Sequence, residues 1–325
     1  MVGDKLVMKK GDVLFGKRRA YQRKVAIAPF DGIFSAHGMV LRPKMDVVDS
    51  RFFPYFIASD QFMNEAVRIS VGGLSPTINW KTLKECEFDL PPIEKQRELA
   101  ELLWAANDLK ESYKKLIVAT DEMLKAKFRE MFGECGAGKW PLVRFEDVAP
   151  SRLGKMLDAK KQTGKWMRPY LANTNVQWFH FDLTELREMD FNEEDQVEFS
   201  LEDGDLLVCE GGEVGRCAVW HNELEECYFQ KAIHRVRCKP DKLLPDYVAF
   251  WFKQETERGS LSSVGKGTTI AHLPGEKLKN LPINLPPLAN QQEFVEIARK
   301  ADETKAALKK SIADVETVIK GLING

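Results

Sequence analysis

One short motif occurs twice in this chain and divides it into four segments. Residues 90–96 have the sequence Leu-Pro-Pro-Ile-Glu-Lys-Gln, and residues 285–291 have the sequence Leu-Pro-Pro-Leu-Ala-Asn-Gln. Each copy ends an apolar run and opens a long amphipathic segment. The residue before a proline favours extended geometry, and proline suits the first turn of a helix, where its missing N–H costs nothing. Each copy therefore predicts a strand-to-helix hinge, and the chain should run domain, helix, domain, helix.

The segments that precede the two hinges also match in order. Gly-Asp-Val-Leu-Phe at 11–15 corresponds to Gly-Asp-Leu-Leu-Val at 204–208, and Ser-Val-Gly at 70–72 corresponds to the same tripeptide at 263–265, both at an offset of 193 residues. The hinges match at an offset of 195. A coherent offset of this kind predicts duplicated architecture. Within the first copy we expect strands at 24–28 and 38–42 and a helix over 54–67.

Both amphipathic segments carry apolar residues at alternating spacings of three and four, which is typical of a coiled-coil seam. Either helix alone would expose its seam, so we expect the two helices to pack on each other as an antiparallel coiled coil. The predicted seam residues are Leu99, Leu102, Leu109, Leu116, Met123, Phe294, Ile297, Leu308, Val315 and Val318.

These elements define an α+β chain with two domains, one of them partial. The second domain has 64 residues from Trp140 to its Gly-Asp strand, whereas the first has ten. We therefore expect the first domain to lack its N-terminal part. The predicted segments are a partial first domain at 1–93, a helix at 94–132, a linker at 133–139, a second domain at 140–288 and a helix at 289–325.

Composition sets the class of protein. The chain has 325 residues, 44% apolar and 30% charged, with a net charge of −1, as in ordinary globular proteins. It has no apolar run of about 18 residues and no basic-then-apolar leader, so we expect a cytoplasmic protein without a membrane segment. Its six cysteines form no Cys-x-x-Cys pair, which favours free thiols over disulfides or zinc.

The small net charge hides strong segregation along the chain. Residues 139–168 contain eight basic and three acidic residues, whereas residues 182–205 contain eleven acidic residues and one arginine. The first 93 residues contain fourteen basic and ten acidic residues, with basic clusters at 17–19 and 23–24. A charge run is more often a solvated face than a binding site, but these runs show which faces could meet phosphate.

No catalytic or metal-binding constellation is present in the sequence. The glycine-rich stretch at 211–215 lacks the Lys-Ser/Thr pair of a phosphate loop and the GxGxxG order, so a turn between strands explains it better. The chain has no Asn/Asp-Pro-Pro-Tyr/Phe methyltransferase tetrapeptide. Its five histidines form no metal-spaced pair, and His234 is predicted to be a hydrogen-bonded core residue. We therefore expect no cofactor on this chain.

Recognition of nucleic acid is the remaining interpretation. Arg and Lys neutralise phosphate, and Asn, Gln, Arg and Lys can read base edges. For any single residue a solvated loop is the commoner explanation, so the candidates count as a set. The candidate DNA-binding residues are Lys17, Arg18, Arg19, Arg23, Lys24, Arg152, Lys155, Lys160, Lys161, Lys165, Arg168, Tyr170, Asn173, Asn175, Lys266, Thr268 and Thr269.

Together, the repeated hinge and helix, the Gly-Asp strand, the Ser-Val-Gly loop and the basic stretch at 11–25 resemble the DNA-specificity subunit of type I restriction–modification systems. The resemblance implies two target-recognition domains, each reading half of a split double-stranded DNA site, with the helix pair setting their distance. It also implies a non-catalytic subunit that holds methyltransferase subunits, which carry S-adenosylmethionine. Restriction subunits (translocase and nuclease), which use ATP and Mg²⁺, would join them.

Two departures from the family pattern matter. The family hinge usually has Glu before its Gln, whereas Lys95 and Asn290 stand here, which leaves the hinge intact. The shorter first domain lacks part of the expected DNA-reading surface. An alternative hypothesis is therefore a truncated chain that binds methyltransferase subunits through its helices but reads one half-site, or that pairs with a second copy.

Overall fold

The computed structural model describes residues 5–158, 162–261 and 272–325. The strands are β1 Leu6–Met8, β2 Val13–Gly16, β3 Val25–Ile27, β4 Gly32–Phe34, β5 Gly38–Leu41, β6 Leu142–Arg144, β7 Ser151–Leu153, β8 Met167–Leu171, β9 Val176–Gln177, β10 His180–Phe181, β11 Arg187–Asp190, β12 Leu206–Cys209, β13 Cys217–Val219, β14 Tyr228–Phe229, β15 Ile233–Val236 and β16 Pro282–Asn284. The helices are α1 Phe53–Ala58, α2 Asp60–Arg68, α3 Trp80–Leu83, α4 Ile93–Phe132, α5 Phe145–Val148, α6 Glu193–Phe199, α7 Pro245–Glu257, α8 Gly275–Lys279 and α9 Leu288–Asn324.

The mixture of helix and strand confirms the predicted α+β class. The long helices α4 and α9 each begin and end within one residue of the predicted bounds. In the described residues, no helix has the length and apolar character that a membrane span requires. The chain divides into a first unit, residues 1–119 and 304–325, and a second unit, residues 120–303. The predicted domain boundaries at the hinges stay a prediction.

The sheet of the first unit is built around β2. It pairs antiparallel with β3 on one side and β5 on the other, so that Val13 lies opposite both Ile27 and Leu41. Strands β1 and β4 form a separate antiparallel pair. Aromatic side chains fill the core, and the Phe15 and Phe62 rings meet edge to face at 5.4 Å. The strands predicted at 24–28 and 38–42 are confirmed as β3 and β5.

The single helix predicted over 54–67 is two helices. Ser59 separates α1 from α2 with an extended backbone (φ −65°, ψ 155°), and its hydroxyl accepts the N–H of Phe62 at 3.2 Å. Serine is a strong helix N-cap because its oxygen satisfies an N–H that has no partner within the helix. The apolar spacing continues across the break, which is why the sequence pattern predicts one helix.

The second unit repeats the same sheet order. Strand β12 pairs antiparallel with β13 and β15, and Leu206 lies opposite both Val219 and Val236. The order β13-β12-β15 matches β3-β2-β5, and β12 lies 193 residues after β2. The predicted duplication is therefore confirmed in the sheet order. Helix α7 packs its buried Tyr247 and Phe252 into the core of this unit.

The second unit has further strands before its central strand. Strands β6 to β11 precede β12, whereas in the described part of the first unit only β1 precedes β2. Strand β7 extends the sheet beyond β15, and β8 lies between β11 and β14 in a separate sheet. Strand β6 pairs with β16, which leads into the second hinge.

The cysteines and His234 are structural residues. All six cysteines are free thiols; Cys209, Cys217 and Cys227 are buried, as expected of structural thiols, whereas Cys86, Cys135 and Cys238 are half-buried. His234 is buried in β15, and its Nε2 lies 2.9 Å from the carbonyl oxygen of Leu273. Burial lowers the pKa of His234, because the charged imidazolium is poorly solvated in the core. The prediction of a hydrogen-bonded core histidine is confirmed.

A buried glutamine fastens the second hinge to the chain that leads into α7. The amide nitrogen of Gln291 donates to the carbonyl oxygens of Pro286 at 2.8 Å and Lys242 at 2.9 Å. Its amide oxygen accepts the backbone N–H of Leu244 at 2.9 Å. The side chain thus ties the first turn of α9 to a segment almost fifty residues earlier, and all three partners are backbone groups.

The first hinge contains the same arrangement. Gln96 donates to the carbonyl oxygens of Pro91 at 2.8 Å and Val47 at 3.1 Å, and it accepts the N–H of Asp49 at 2.9 Å. The three partners lie 5, 49 and 47 residues before the glutamine, the same separations as at the second hinge. We call each arrangement the glutamine clamp.

Replacing the clamp residue should destabilise the second unit. Gln291→Leu keeps similar volume but leaves two carbonyls and one N–H buried without partners, and we expect a loss of about 3 kcal/mol in unfolding free energy. Urea unfolding measures it. Gln292→Leu, at the exposed neighbouring position, should change the midpoint little. Equal midpoints for the two variants would show that the clamp does not contribute to stability.

Five residues of the predicted coiled-coil seam are substantially exposed, and the seam stays a prediction there. Leu102, Leu109, Leu116, Met123 and Val318 are between 43% and 55% exposed. Phe294 is buried as predicted, and four further seam residues are half-buried: Leu99, Ile297, Leu308 and Val315.

The buried stripe of α4 lies one residue further along the chain. Leu103 and Leu124 are buried, and Ile117 is half-buried. Each follows an apolar residue directly, so a three-four spacing can be drawn through either member of the pair. The remaining position of this stripe, between Leu103 and Ile117, is occupied by Lys110. Its side chain is 19% exposed, and its Nζ lies 4.0 Å from the Glu316 carboxylate. A lysine can occupy such a place because its methylene stem packs while its ammonium reaches water or a carboxylate.

Candidate nucleic-acid interface

The basic loop, residues 17–24, joins β2 to β3 in the first unit. It contains five cationic residues and no acid. A short 3-10 turn at Ala20–Gln22 lies at its centre, flanked by Arg19 (φ 54°) and Arg23 (φ 47°) in the left-handed region. Side chains other than glycine adopt this region at a cost of about 1 kcal/mol each. The surrounding packing, including buried Ala20, therefore holds the loop in a defined shape.

A second loop lies directly against the basic loop. This glycine–serine loop, residues 69–78, has no charged residue. The N–H of Ile78 donates to the carbonyl of Lys17 at 2.9 Å, and the N–H of Ala20 donates to the carbonyl of Pro76 at 3.3 Å. These two backbone bonds join the loops into one surface, which we call the loop surface.

Four of the five cations on the loop surface remain available for an ion pair with an external partner. Arg18, Arg19 and Lys24 are exposed, and Lys17 is half-buried. None of them forms an ion pair within the described residues. Arg23 instead places Nη1 2.5 Å from Asp60 and also donates to Asn64. The loop surface therefore presents four positive charges that are paired with no carboxylate in the described part of the chain.

In the second unit, the glycine-rich stretch 211–215 is a hairpin loop, as predicted. It connects β12 directly to β13. Asn173 holds this loop: its Nδ2 donates to the carbonyl of Gly211 at 2.8 Å, and its Oδ1 accepts from Nη2 of Arg216 at 2.8 Å. Asn173 is half-buried, so its amide mainly positions the hairpin.

A buried aspartate shapes the next loop of the second unit. Asp190 accepts the backbone N–H groups of Gly164 at 2.8 Å and Trp166 at 2.7 Å, and also that of Thr163. Burial by itself raises the pKa of Asp190, but these hydrogen bonds outweigh it and the pKa is lowered. Lys165 is held exposed by this loop, with its Nζ 4.9 Å from the centre of the Trp166 ring. Lys165 therefore remains a candidate DNA-binding residue.

The acidic segment neutralises two cations of the basic segment. Lys155 places its ammonium 2.5 Å from the Asp195 carboxylate and 5.1 Å from the centre of the Phe191 ring. Arg152 forms an ion pair with Glu198. This ammonium is bound inside the unit, and the predicted phosphate contact of Lys155 stays a prediction. The two opposite charge runs of the sequence are partly a set of internal ion pairs.

The side chains of two further candidate residues are buried. Tyr170 is 2% exposed, since β8 is the central strand of its sheet. Asn175 is 6% exposed, and its amide accepts the N–H of Ala172 and donates to the carbonyls of Asp182 and Glu185. Arg168 is half-buried, with its Nε 3.3 Å from Glu226. Five predicted residues lie outside the described residues: Lys160, Lys161, Lys266, Thr268 and Thr269.

Comparison with known proteins decides the family. The family model for the type I restriction modification DNA specificity domain matches residues 3–117 and 138–317, which is most of the chain. The chain belongs to the type I DNA-specificity family. The two matched stretches contain both sheets and all the loops described above, so the family assignment covers the whole candidate interface.

Relatives agree with this specificity-family assignment. The EcoKI specificity subunit of Escherichia coli K12 is 24% identical over 332 residues, which cover 91% of this chain and 68% of the relative. The Escherichia coli EcoDI specificity subunit is 28% identical over 163 residues, 47% of this chain and 36% of the relative. This chain thus spans only part of the length of each relative.

The solved structures support the fold. A chain from a study of complex assembly in a type I restriction–modification system has a TM-score of 0.69 at 19% identity, covering 98% of this chain and 81% of its own length. The HsdS subunit of Thermoanaerobacter tengcongensis has a TM-score of 0.54 at 20% identity, covering 98% and 80%. At these identities the similarity concerns the fold alone.

The exposed cation Lys231 is not among the candidate residues predicted from the sequence of this specificity-family chain. Lys231 follows β14, and its N–H donates to the carbonyl of Lys155 at 2.8 Å. The next residue, Ala232, has φ 100°, and an alanine in the sequence gives no sign of such a turn. Because a lone lysine between two strands has no distinctive pattern, only the fold shows that its backbone lies against that of Lys155.

Proposed function

We propose that this chain is the non-catalytic, DNA-reading subunit of a type I restriction–modification complex. Each sheet unit would read one half of a bipartite double-stranded site. One observation carries the proposal: the same strand order, with a loop after the central strand and a glutamine clamp at the following hinge, occurs twice in a specificity-family chain. Two similar readers on one chain suit a site that has two parts.

The loops supply the chemistry that such reading requires. In the first unit, Lys17, Arg18, Arg19 and Lys24 offer cations to phosphate, which fixes position but carries no sequence information. In the second unit, Lys165 and Lys231 are exposed cations, and Lys165 lies on the loop held by Asp190. We therefore place the first contact with DNA on these two groups of loops.

Selection of bound DNA from a random-sequence pool tests the proposal, with the chain purified together with its methyltransferase subunit. We expect two short defined tracts separated by a spacer of fixed length. One defined tract alone would favour the second candidate, a subunit that reads a single half-site. No enriched tract would contradict both.

The long helices would hold the methyltransferase subunits. In the first unit, Leu102, Leu109 and Leu116 are 55%, 43% and 49% exposed on α4 and recur every seven residues. Apolar residues at heptad spacing form a face that suits another helix, and exposed apolar patches mark interaction sites. We call these three residues the heptad face. We infer that a methyltransferase helix covers it, with S-adenosylmethionine bound by that subunit and with ATP and Mg²⁺ used by restriction subunits.

Charge placed on the heptad face should weaken this association. The double variant Leu102→Asp with Leu109→Asp should lower affinity for the methyltransferase subunit by about 100-fold, because truncating buried interface anchors costs about 2 kcal/mol or more. Isothermal titration calorimetry measures this. Val197→Asp, at an 82% exposed position on α6, provides the control. Unchanged affinity in the double variant would remove the heptad face from the interface.

A further inference from the structure

Leu74 stands out on the loop surface. Its relative exposure is 100%, higher than that of any other large apolar side chain among the described residues. It follows Gly72 and Gly73 and precedes Ser75 and Pro76, at the tip of the glycine–serine loop. A fully solvated leucine gains nothing in the folded chain alone, because burial of apolar surface is what makes such a side chain favourable.

The base of this loop is held firmly. Val71 and Thr77 exchange backbone hydrogen bonds at 3.0 and 2.9 Å. The Thr77 hydroxyl donates to the carbonyl of Ser75 at 3.1 Å, and Gly72 makes the turn at φ 120°. A tip presented on a closed base loses little conformational freedom when it meets a partner. The loop is therefore suited to inserting its tip into a partner molecule.

The surroundings of the tip indicate what it meets. The adjoining basic loop bonds to Pro76 and Ile78 and forms a bridge from Arg18 to Thr77. Neither loop contains an acidic residue. An apolar tip beside uncompensated cations matches a polyanion with an apolar interior, which is the chemistry of stacked bases between two phosphate backbones.

We propose that Leu74 is a wedge that inserts between base pairs of duplex DNA while the basic loop holds the flanking phosphates. This assignment rests on the proposed DNA-reading function. Proteins that insert apolar side chains into the minor groove partly unstack a base step and kink the duplex. The wedge would make binding depend on how easily the step deforms, so it would contribute sequence preference without hydrogen bonds to bases.

Plasmid relaxation tests the wedge without knowledge of the recognised sequence. Relaxed circular DNA is saturated with the full chain, treated with topoisomerase I and freed of protein. Because insertion untwists the duplex, we expect the wild-type chain to leave negative linking differences. Leu74→Ser should reduce that difference at least about twofold at equal occupancy, and Val197→Ser should not. Equal unfolding midpoints show that both variants fold.

The outcomes separate the wedge from the proposed function. Occupancy is measured by fluorescence anisotropy over a salt series with the same plasmid fragment. If the wild-type chain shows no salt-dependent binding, the proposed function fails, and the wedge fails with it. If binding is salt-dependent but the wild-type chain leaves linking number unchanged, or Leu74→Ser shifts it equally, the wedge is overturned and DNA binding stands.

Discussion

Leu103→Asp should lower the free energy of unfolding by about 4 kcal/mol or more, whereas Leu102→Asp should lower it by less than about 0.5 kcal/mol. The two residues are adjacent on α4, but Leu103 is 0% exposed and Leu102 is 55% exposed. A carboxyl group at position 103 loses its water without gaining a partner, and the substitution also removes the packing of a leucine. At position 102 the same group remains in solvent.

Urea unfolding followed by circular dichroism compares the two variants directly. The pair is well matched, since residue type, substitution and helix are the same and only the face differs. Leu102→Asp also belongs to the heptad face, so this variant should fold normally and still bind the methyltransferase subunit less tightly. Similar destabilisation by both substitutions would support the seam predicted from the sequence and contradict the burial pattern of α4.

Replacing the four available cations of the basic loop by glutamine should lower DNA affinity by about 100- to 1,000-fold at low salt. The variant changes Lys17, Arg18, Arg19 and Lys24. Each neutralised phosphate releases counterions, so the slope of log affinity against log salt should become shallower by about 0.9 for every phosphate that the variant chain leaves unneutralised. Fluorescence anisotropy between about 50 and 200 mM salt measures both quantities.

A second quadruple variant controls for net charge. Lys300, Lys309, Lys310 and Lys320 are exposed on α9, and their replacement by glutamine removes the same charge from a helix. The net charge of the protein changes equally in both variants, but only the loop variant removes cations from the loop surface. A salt slope equal to that of the wild-type chain in the loop variant would exclude the basic loop from the DNA interface.

The architecture could be predicted because its signals are local. Paired prolines mark both hinges, and sustained apolar spacing marks both long helices, so the predicted bounds of α4 and α9 agree with the structure to within one residue. The face of α4 could not be predicted. Leu102 and Leu103 are adjacent apolar residues, and so are Leu116 and Ile117. Which member is buried depends on packing, which no spacing rule within one helix contains.

The candidate interface was only partly predictable, because a charge run does not reveal its partners. Lys155 and Lys165 lie in the same basic run, yet one ammonium lies against Asp195 and the other is exposed. Tyr170 follows polar residues, which favours a surface position, but the β11-β8-β14 order buries it. In the basic loop, the prediction of Arg18, Arg19 and Lys24 as available cations agrees with their exposure.

The glutamine clamps have a consequence for how such chains can change over generations. Every partner of Gln96 and Gln291 is a main-chain group. Both copies have proline at the nearest partner position, but the other two differ: Val47 and Asp49 in one copy correspond to Lys242 and Leu244 in the other. A foreign domain brought in by recombination can therefore keep these hydrogen bonds whatever side chains it carries at those two positions. The hinge can in this way join domains of different sequence to the same kind of helix.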